Sequence, residues 1–409
     1  MVMSIGEEWL LPRPTLHPIF HHSFGSGNAL ESGAKGVNLD ANVHGGRREM
    51  IAKFKRGWLF GMAGLVLFAL PSSFGAARAA LPGHDGQRDF DFEFGRWKVH
   101  LRRLVHPLSG SRAWEDYQGI SIVRKIWDGR ANLGELEVED PSTHARIEGL
   151  SLRLYNPQSG EWRVYFANSN EGILGQAMIG GFKNGRGEFF DQEEFEGRTI
   201  FVRFVFSDIA QNSFRFVQSF SADGAKTWEP NWVATFTRDN HATAEAMPPA
   251  AKGMAGQHDF DFELGTWKMR VKRLLHPFTG SHAWVDFEAD SFTRKVWDGR
   301  AQLEQFEGDA ASGHLEGLTL RLFDPQSHEW RLYWATSKDG SLSVPQIGQF
   351  TKKGQGEFYA QDFYQGRAVL IRFVWTVVNT DLAHFEQSFS VDGGKTWEVN
   401  WITDDRRVK

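Results

Sequence analysis

The sequence predicts an all-β protein composed of two tandem antiparallel β-barrels of eight to ten strands each. The first observation is a duplication: one long block of sequence occurs twice, so that Trp97 and Trp267 occupy equivalent places. The second is composition, because the chain holds 34 Phe and 16 Trp, residue types that favour strands. A length of 409 residues also exceeds what one hydrophobic core usually organises, which favours two domains.

The N-terminal part of the chain is expected to lie outside the barrels. Residues 1–49 lack sustained periodicity, and we expect a disordered or misassigned upstream segment. Residues 50–79 have the pattern of a secretory signal peptide, with basic residues, an apolar run over 58–70 and small residues up to Ala79. The run is shorter than the roughly 20 residues that span a bilayer, so no permanent membrane anchor is expected. The predicted location is periplasmic or secreted.

The rest of the chain is the duplication. The first predicted domain covers residues 84–238 and the second covers 257–409, joined by a linker over 239–256 that contains Pro248 and Pro249. The clearest matching segments are 89–97 with 259–267, 124–131 with 294–301, and 218–228 with 387–397. Each copy is far longer than the repeats of a solenoid, so each is expected to fold as a domain of its own.

Within a copy, short apolar runs alternate with turn pairs such as Asn184-Gly185 and Asp223-Gly224. Such a meander suits an antiparallel barrel or sandwich, and closure into a barrel removes edge strands that an exported, aromatic-rich sheet would expose. The first element, residues 89–94, alternates Asp or Glu with Phe. The alternation predicts a strand with its carboxylates, Glu93 among them, on a solvated face; acid–base catalysis or cation binding is the alternative.

A short motif begins the first long strand of each copy. It is Gly-x-Trp, at residues 95–97 and 265–267, and Arg238 and Arg407 follow the last strands. This pattern resembles lipocalin-like bacterial β-barrel domains of the calycin superfamily, a group of unknown function, here present in two tandem copies. The resemblance implies that each Trp packs across the barrel base beneath the Arg. The second copy departs at residues 404–405, where two aspartates replace Thr-Phe, so the resemblance is weaker at its Arg407.

A second motif lies near the end of each copy. Residues 390–397 match the Asp-box pattern S-x-D-x-G-x-x-W of sialidase-like propellers, and residues 221–228 match it except at Ala225. One box per copy does not make a propeller, whose blades each carry their own repeat. We therefore expect a structural hairpin and no glycosidase activity.

Composition excludes several kinds of function. The chain has no cysteine, which rules out disulfides, thiol nucleophiles and Cys-ligated metals. The net charge of -5 and pI near 6.3 supply no basic surface for nucleic acid. His106 and His276 each precede a proline and are expected in turns, with a general base, a metal ligand or a haem ligand as the alternatives. No cofactor is predicted, and the sequence sets no oligomeric state.

Polar side chains that interrupt apolar strands are the candidate ligand-binding residues. Arg203 alternates with Phe201 and Val205, so we expect it to face an enclosed lumen, where a guanidinium needs an anionic or multidentate partner. The alternatives are an outward orientation or an internal ion pair with Glu148 or Glu188. The full set of candidates is Arg153, Tyr165, Arg203 and Gln218 in the first copy, and Arg321, Tyr333, Arg372 and Gln387 in the second.

These observations predict an exported protein that holds a small, partly apolar or amphipathic ligand with a polar or acidic head in a barrel lumen. An enzyme that uses the same lumen, such as a cyclase, isomerase or hydrolase, is the first alternative. The sequence contains no G-x-S-x-G, H-E-x-x-H or P-loop motif, so it names no catalytic residue. A carbohydrate-binding or structural module is the second alternative, because the repeated tryptophans suit sugar stacking as well as core packing.

Overall fold

Each copy closes into a ten-stranded antiparallel barrel in the computed structural model of the chain. The structure describes residues 85–141, 146–240, 253–311, 313–352 and 354–409. The predicted fold class and strand number are confirmed. The predicted segments 1–49 and 50–79 and most of the linker lie outside the described residues. No helix within the described ranges is both long enough and apolar enough to cross a membrane.

The strands follow one another around each barrel in chain order, and the last pairs with the first. In the first barrel they are β1 Gly95–Leu104, β2 Trp114–Ile126, β3 Ala131–Glu139, β4 Arg146–Asn156, β5 Glu161–Asn168, β6 Met178–Lys183, β7 Arg186–Phe195, β8 Arg198–Ala210, β9 Ser213–Ser221 and β10 Glu229–Arg238. In the second they are β11 Gly265–Leu274, β12 Trp284–Val296, β13 Ala301–Ala310, β14 Gly313–Asp324, β15 Glu329–Thr336, β16 Gln346–Lys352, β17 Gln355–Tyr364, β18 Arg367–Asn379, β19 Leu382–Ser390 and β20 Glu398–Arg407.

The first element of each copy is a short helix and not the strand predicted from its alternation. Asp91–Glu93 and Asp261–Glu263 are single 3-10 turns that close one end of each barrel, which we call the base. The turn points Glu93 into the barrel, where it is only 1% exposed, so the expected solvated face is wrong for this residue. Period-two alternation fails here because a 3-10 turn brings every third side chain to the same side.

The base is packed with aromatic rings under an arginine. Trp97 donates from Nε1 to the Glu93 carbonyl at 2.7 Å, and Arg238 stacks over its ring at 3.9 Å from the centre. Arg238 also donates to the carbonyls of Phe92 and Phe94, which close the base. In the second barrel Arg407 stacks over Trp267 at 4.3 Å. The Trp–Arg contact expected from the resemblance is therefore present in both copies.

The Asp-box segments form hairpins between the last two strands of each barrel. The Asp223 carboxylate accepts hydrogen bonds from the backbone amides of Lys226 and Thr227 at 3.0 Å, and Thr227 Oγ1 donates to it at 2.6 Å. Asp392 repeats these bonds in the second copy. Hydrogen bonds from Thr227 hold the pKa of Asp223 below its usual range. These contacts agree with the predicted structural role.

The two barrels pack against each other through the outer faces of β3–β5 and β13–β15. Arg130 of the first copy donates to Glu316 of the second at 2.7 Å. The equivalent residues form the reciprocal pair, in which Arg300 of the second copy donates to Glu148 of the first. Because equivalent residues exchange partners, the contact has the isologous form of a two-fold dimer. Apolar side chains fill the space between these pairs, among them Leu150, Leu152, Leu154, Leu318, Leu320 and Leu322.

Candidate functional site

The register of the strands decides which side chains face the lumen. In β8 the residues Ile200, Val202 and Phe206 join a buried cluster with Trp97 of β1 and Trp162 of β5, on other walls of the barrel. Successive strand residues point to opposite faces, so the even-numbered residues of β8 face inward. The odd-numbered residues of β8 face outward.

Arg203 and Arg372 therefore lie on the outside, and the prediction that they line the lumen is wrong. The Arg203 guanidinium stacks over Trp228 of the Asp-box hairpin at 4.5 Å, and Arg372 stacks over Trp397 at 4.7 Å. The hairpin covers this outer face and makes it apolar. Alternation alone could not choose between the two faces, because both faces of β8 carry aliphatic or aromatic residues.

Tyr165 and Tyr333 also lie outside the lumen, in the contact between the barrels. The Tyr165 hydroxyl accepts a hydrogen bond from the Leu342 amide at 3.4 Å, and the Tyr333 hydroxyl accepts one from the Leu174 amide at 3.3 Å. Both tyrosines are at most 7% exposed. They were predicted to contact a lumen ligand. In the structure they instead join the two copies.

Arg153 of β4 does face the lumen, but it lies at the base and is already paired. Its Nη1 bonds Glu93 Oε2 at 2.9 Å and donates to Asn132 Oδ1 at 2.8 Å, and the guanidinium stacks over Phe90 at 5.0 Å. Burial raises the pKa of Glu93, while the charge of Arg153 acts in the opposite direction. An internal ion pair is formed, but its partner is Glu93 and not Glu148 or Glu188, which pair with Arg300 and Arg186.

Arg321 has the equivalent place in the second barrel and a different set of partners. Its Nη2 donates to Glu304 Oε2 at 2.7 Å and lies 3.6 Å from Glu263 Oε2. Ser291 donates to the other Glu304 oxygen at 3.0 Å. Neither Arg153 nor Arg321 is available as the sole counter-ion of an acidic ligand, because each already contacts a carboxylate.

Gln218 and Gln387 face the lumen in its other half, at the end away from the base, which we call the mouth. Gln218 Nε2 donates to Asn231 Oδ1 at 2.8 Å, and Gln387 Nε2 donates to Asn400 Oδ1 at 2.6 Å. Both glutamines are partly exposed while their asparagine partners are buried. The amide pair is thus a polar group fixed in position on the lumen wall, in both copies.

Aromatic side chains surround this amide pair. We call the mouth-side half of each lumen the cup. Phe204 and Phe216 pack edge to face at 5.1 Å in the first cup, and Phe373 and Phe385 do so in the second. The cup residues are Phe166, Phe204, Phe216, Gln218 and Trp232 in the first barrel, and Trp334, Phe373, Phe385, Gln387 and Trp401 in the second.

Glycine makes room for one ring in each cup. A Cβ added at Gly149 would lie 3.0 Å from the Phe166 ring, and one added at Gly317 would lie 2.1 Å from Trp334. Phe166 nonetheless keeps 41% of its surface exposed, and every other cup residue keeps part of its surface. Mid-strand side chains that point inward yet stay accessible must border a space that solvent reaches.

The first cup contains a carboxyl pair that the sequence did not single out. Asp191 lies opposite Val202 in the β7–β8 ladder and so faces the lumen, as does Glu193 two residues on. Burial raises the pKa of Asp191 to about 7, and the charge of Glu193 acts in the same direction. The second copy has Ala360 at the place of Asp191, so this pair distinguishes the two cups.

Among the described residues there is no cluster of three or more His, Asp or Glu side chains arranged to hold a metal ion. The predicted turn histidine His106 adopts a positive φ of 57° and is exposed. Its carbonyl accepts a hydrogen bond from Ser109 Oγ at 2.5 Å. These contacts are those of a turn residue.

No family model and no curated protein matches the chain. Several solved structures do match the chain. An S-type phycobiliprotein lyase from Guillardia theta matches at 12% identity and a TM-score of 0.28, over 38% of this chain and 94% of that one. A protein of unknown function from the DUF3598 family of Nostoc punctiforme matches at 11% identity and a TM-score of 0.23, over 79% of this chain and 99% of that one. At such scores the matches say nothing of what this chain binds.

Proposed function

We propose that the protein is a small-molecule-binding protein whose two barrels each hold a partly apolar ligand in the cup. One observation carries the proposal: in both copies, aromatic and amide side chains that point into a closed barrel keep accessible surface. Aromatic walls with one fixed polar group are the usual lining of a small-molecule site. Export to the periplasm or beyond, expected from the sequence, suits a carrier or scavenger.

The cup sets the chemistry of the ligand. Its rings offer flat apolar surface, and its amide pair offers one donor and one acceptor region. Arg153 and Arg321, the arginines predicted to meet an acidic ligand head, lie at the base and contact Glu93 or Glu304. The ligand head is therefore proposed to be a neutral hydrogen-bonding group, in place of the acidic head that the sequence left open.

Binding of the neutral, apolar dye Nile red tests the proposal. Phe166→Ala/Trp334→Ala removes one ring from each cup, and the outer-face variant Phe190→Ala/Tyr359→Ala is the matched control. Phe166, Phe190 and Tyr359 are similarly exposed, at 41%, 44% and 45%. Loss of one partly exposed ring contact is worth about 1 kcal/mol, so the cup variant should bind the dye roughly fivefold more weakly.

The expected result is saturable dye fluorescence in the wild type, weakened by the cup variant and unchanged by the control. Absence of binding to the wild-type chain contradicts the proposal. So does equal weakening by both variants, because that outcome would place the dye on outer aromatic surface.

A further inference from the structure

The bases of the two barrels have the same backbone register but different chemistry. Phe236 lies opposite Val99 in the first barrel and stacks on Phe214 at 4.2 Å. At the equivalent place in the second barrel, Asp405 lies opposite Met269 and next to Ala383. Two stacked phenyl rings are thus replaced by a carboxylate and a methyl group, deep inside the barrel.

A second carboxylate enters the same base. Glu304 of β13 lies opposite Thr293, where the first barrel has Gly134 opposite Val123. Both carboxylates are buried, with Glu304 5% and Asp405 2% exposed. The equivalents of Glu93, Arg153 and Arg238 are all retained as Glu263, Arg321 and Arg407. The second base therefore gains two acidic groups and no basic one.

Several polar atoms in this base lack partners. Among the residues that the structure describes, neither Asp405 oxygen, nor Glu263 Oε1, nor either amide atom of Gln302 has a hydrogen-bond partner. On the donor side, Arg321 Nε and Nη1 and Trp375 Nε1 are also unpaired within the described ranges. These side chains are at most 5% exposed. Buried donors and acceptors that lie in one base without pairing point to a water, an ion or a small molecule between them.

We infer that the base of the second barrel is a binding site for a small organic cation of the ammonium class, with Asp405 as its principal counter-ion and Glu263 and Glu304 as further acceptors. An ammonium group supplies donors and the positive charge that the two added carboxylates lack. The inference rests on the proposed function in that the lumen must admit a small molecule. It adds a ligand class, and it assigns that class to the second barrel alone.

The titration of Asp405 gives the site a pH dependence. Burial raises the pKa of Asp405 to about 7, and the charge of Glu304 across the barrel acts in the same direction. The neighbouring Thr403 hydroxyl and His384 on β19 lower it, and Asp404 on the same strand raises it further. Glu263 faces the group from the base. Because the ammonium ion needs the carboxylate, its affinity should rise roughly tenfold from about pH 6 to about pH 8.

Calorimetry on the full chain tests the inference with named probes. The cations are methylammonium and 2-phenylethylammonium, the neutral probe is 2-phenylethanol, and the anion is 3-phenylpropionate. At least one cation should bind at about pH 8, more tightly than the alcohol of the same skeleton, and the anion should not bind. Asp405→Asn should weaken the cation roughly tenfold or more, since it keeps the shape and removes the charge.

Asp404→Asn is the matched control, because Asp404 is the neighbouring residue on the opposite, solvent-exposed face of β20. At about pH 8, where Asp405 is mostly ionised with or without the charge of Asp404, it should leave cation binding unchanged. The inference is overturned if neither cation binds with a Kd below about 10 mM. That result is expected if water alone fills the base. The inference is also overturned if Asp405→Asn and Asp404→Asn bind the cation equally tightly. The Nile red experiment reports on the cups through different residues. Failure of one experiment therefore leaves the other informative, and a thermal melt of each variant confirms folding.

Discussion

Arg153 illustrates how a single buried charge constrains the barrel. The residue is 7% exposed, and its charge is balanced within the lumen by Glu93. A buried pair of this kind adds little stability over apolar residues of the same size, but removing one partner leaves an uncompensated charge. Its value is expected to lie in fixing the base, where the 3-10 turn bearing Glu93 meets β4.

Arg153→Met tests this balance. The single variant should lower the free energy of unfolding by about 3 kcal/mol, because Glu93 is left buried without its counter-ion. The double variant Glu93→Leu/Arg153→Met should lose less than the single one. Urea unfolding measures both, and Arg186→Met in an exposed pair with Glu188 should cost no more than about 0.5 kcal/mol. A double variant less stable than the single one would contradict the account.

Asp191 provides a prediction about pH. Its folded pKa of about 7 lies above the unfolded value, so ionisation is less favourable in the folded state. Stability from this group is therefore complete below about pH 4 and is lost as pH rises towards 7. Asp191→Asn should raise the thermal midpoint at about pH 8, by the equivalent of roughly 1 kcal/mol, and leave it unchanged near pH 4.

The control for this prediction is Asp116→Asn on the outer face of β2, whose side chain is 55% exposed. It should show no such pH-dependent gain. A gain from Asp191→Asn that is equal at both pH values would show that the effect comes from packing and not from the titration of the carboxyl group.

For single elements, the sequence patterns predicted where the strands lie, but they did not predict reliably which face of each strand points into the lumen. Turn pairs such as Asn184-Gly185 fall between strands, and the ten strands per barrel match the predicted range. In β8, however, both faces are apolar because the Asp-box hairpin covers the outer one. In β4 and β5 both faces are buried because the second barrel covers the outer one. For these reasons Arg203 of β8 and Tyr165 of β5 were predicted to face the lumen, although both lie on the outer face of the barrel.

The candidate site was accordingly predictable in part. Gln218, Gln387, Arg153 and Arg321 face the lumen as predicted, although the two arginines lie at the base. The base carboxylates were missed, yet the repeat carries a signal for them: Asp405 replaces Phe236 and Glu304 replaces Gly134. A change from apolar to acidic at matched positions of a duplicated domain points to a difference in lumen chemistry.

The Asp-box hairpin yields a prediction of its own. Asp223→Ala removes the acceptor for the amides of Lys226 and Thr227. Hydrogen exchange at these two amides should become roughly tenfold faster, because their exchange then needs no broken hydrogen bond. Asp223→Asn keeps one acceptor oxygen and should have a smaller effect. Unchanged dye binding in both variants is also expected, since the hairpin contacts the outside of the barrel; weakened binding would show that it shapes the cup.

At the scale of the whole molecule, the two copies behave as a dimer joined in one chain. The exchanged pairs Arg130–Glu316 and Arg300–Glu148 and the shared apolar layer bury the outer faces of six strands. The described residues from 85 to 409 belong to one compact unit. We therefore expect the two barrels to unfold together.

Two glycines at this contact allow a test. A Cβ at Gly172 would lie 1.9 Å from the Phe323 carbonyl oxygen, and one at Gly340 would lie 2.0 Å from that of Tyr155, each at a positive φ. Gly172→Ala/Gly340→Ala should separate the barrels and turn one calorimetric unfolding transition into two. The control Gly185→Ala/Gly197→Ala places methyl groups at similar φ values with no atom within 4 Å. Two transitions in the control as well would contradict the account.

Each barrel is proposed to hold one small molecule in its cup, and a count of bound ligands per chain tests this. Native mass spectrometry of the chain incubated with Nile red should show two dye molecules bound per chain at saturation. The cup variant Phe166→Ala/Trp334→Ala should retain fewer dye molecules, and the outer-face control Phe190→Ala/Tyr359→Ala should retain two. A wild-type chain that carries no dye, or a cup variant that retains both molecules as firmly as the wild type does, would contradict the account.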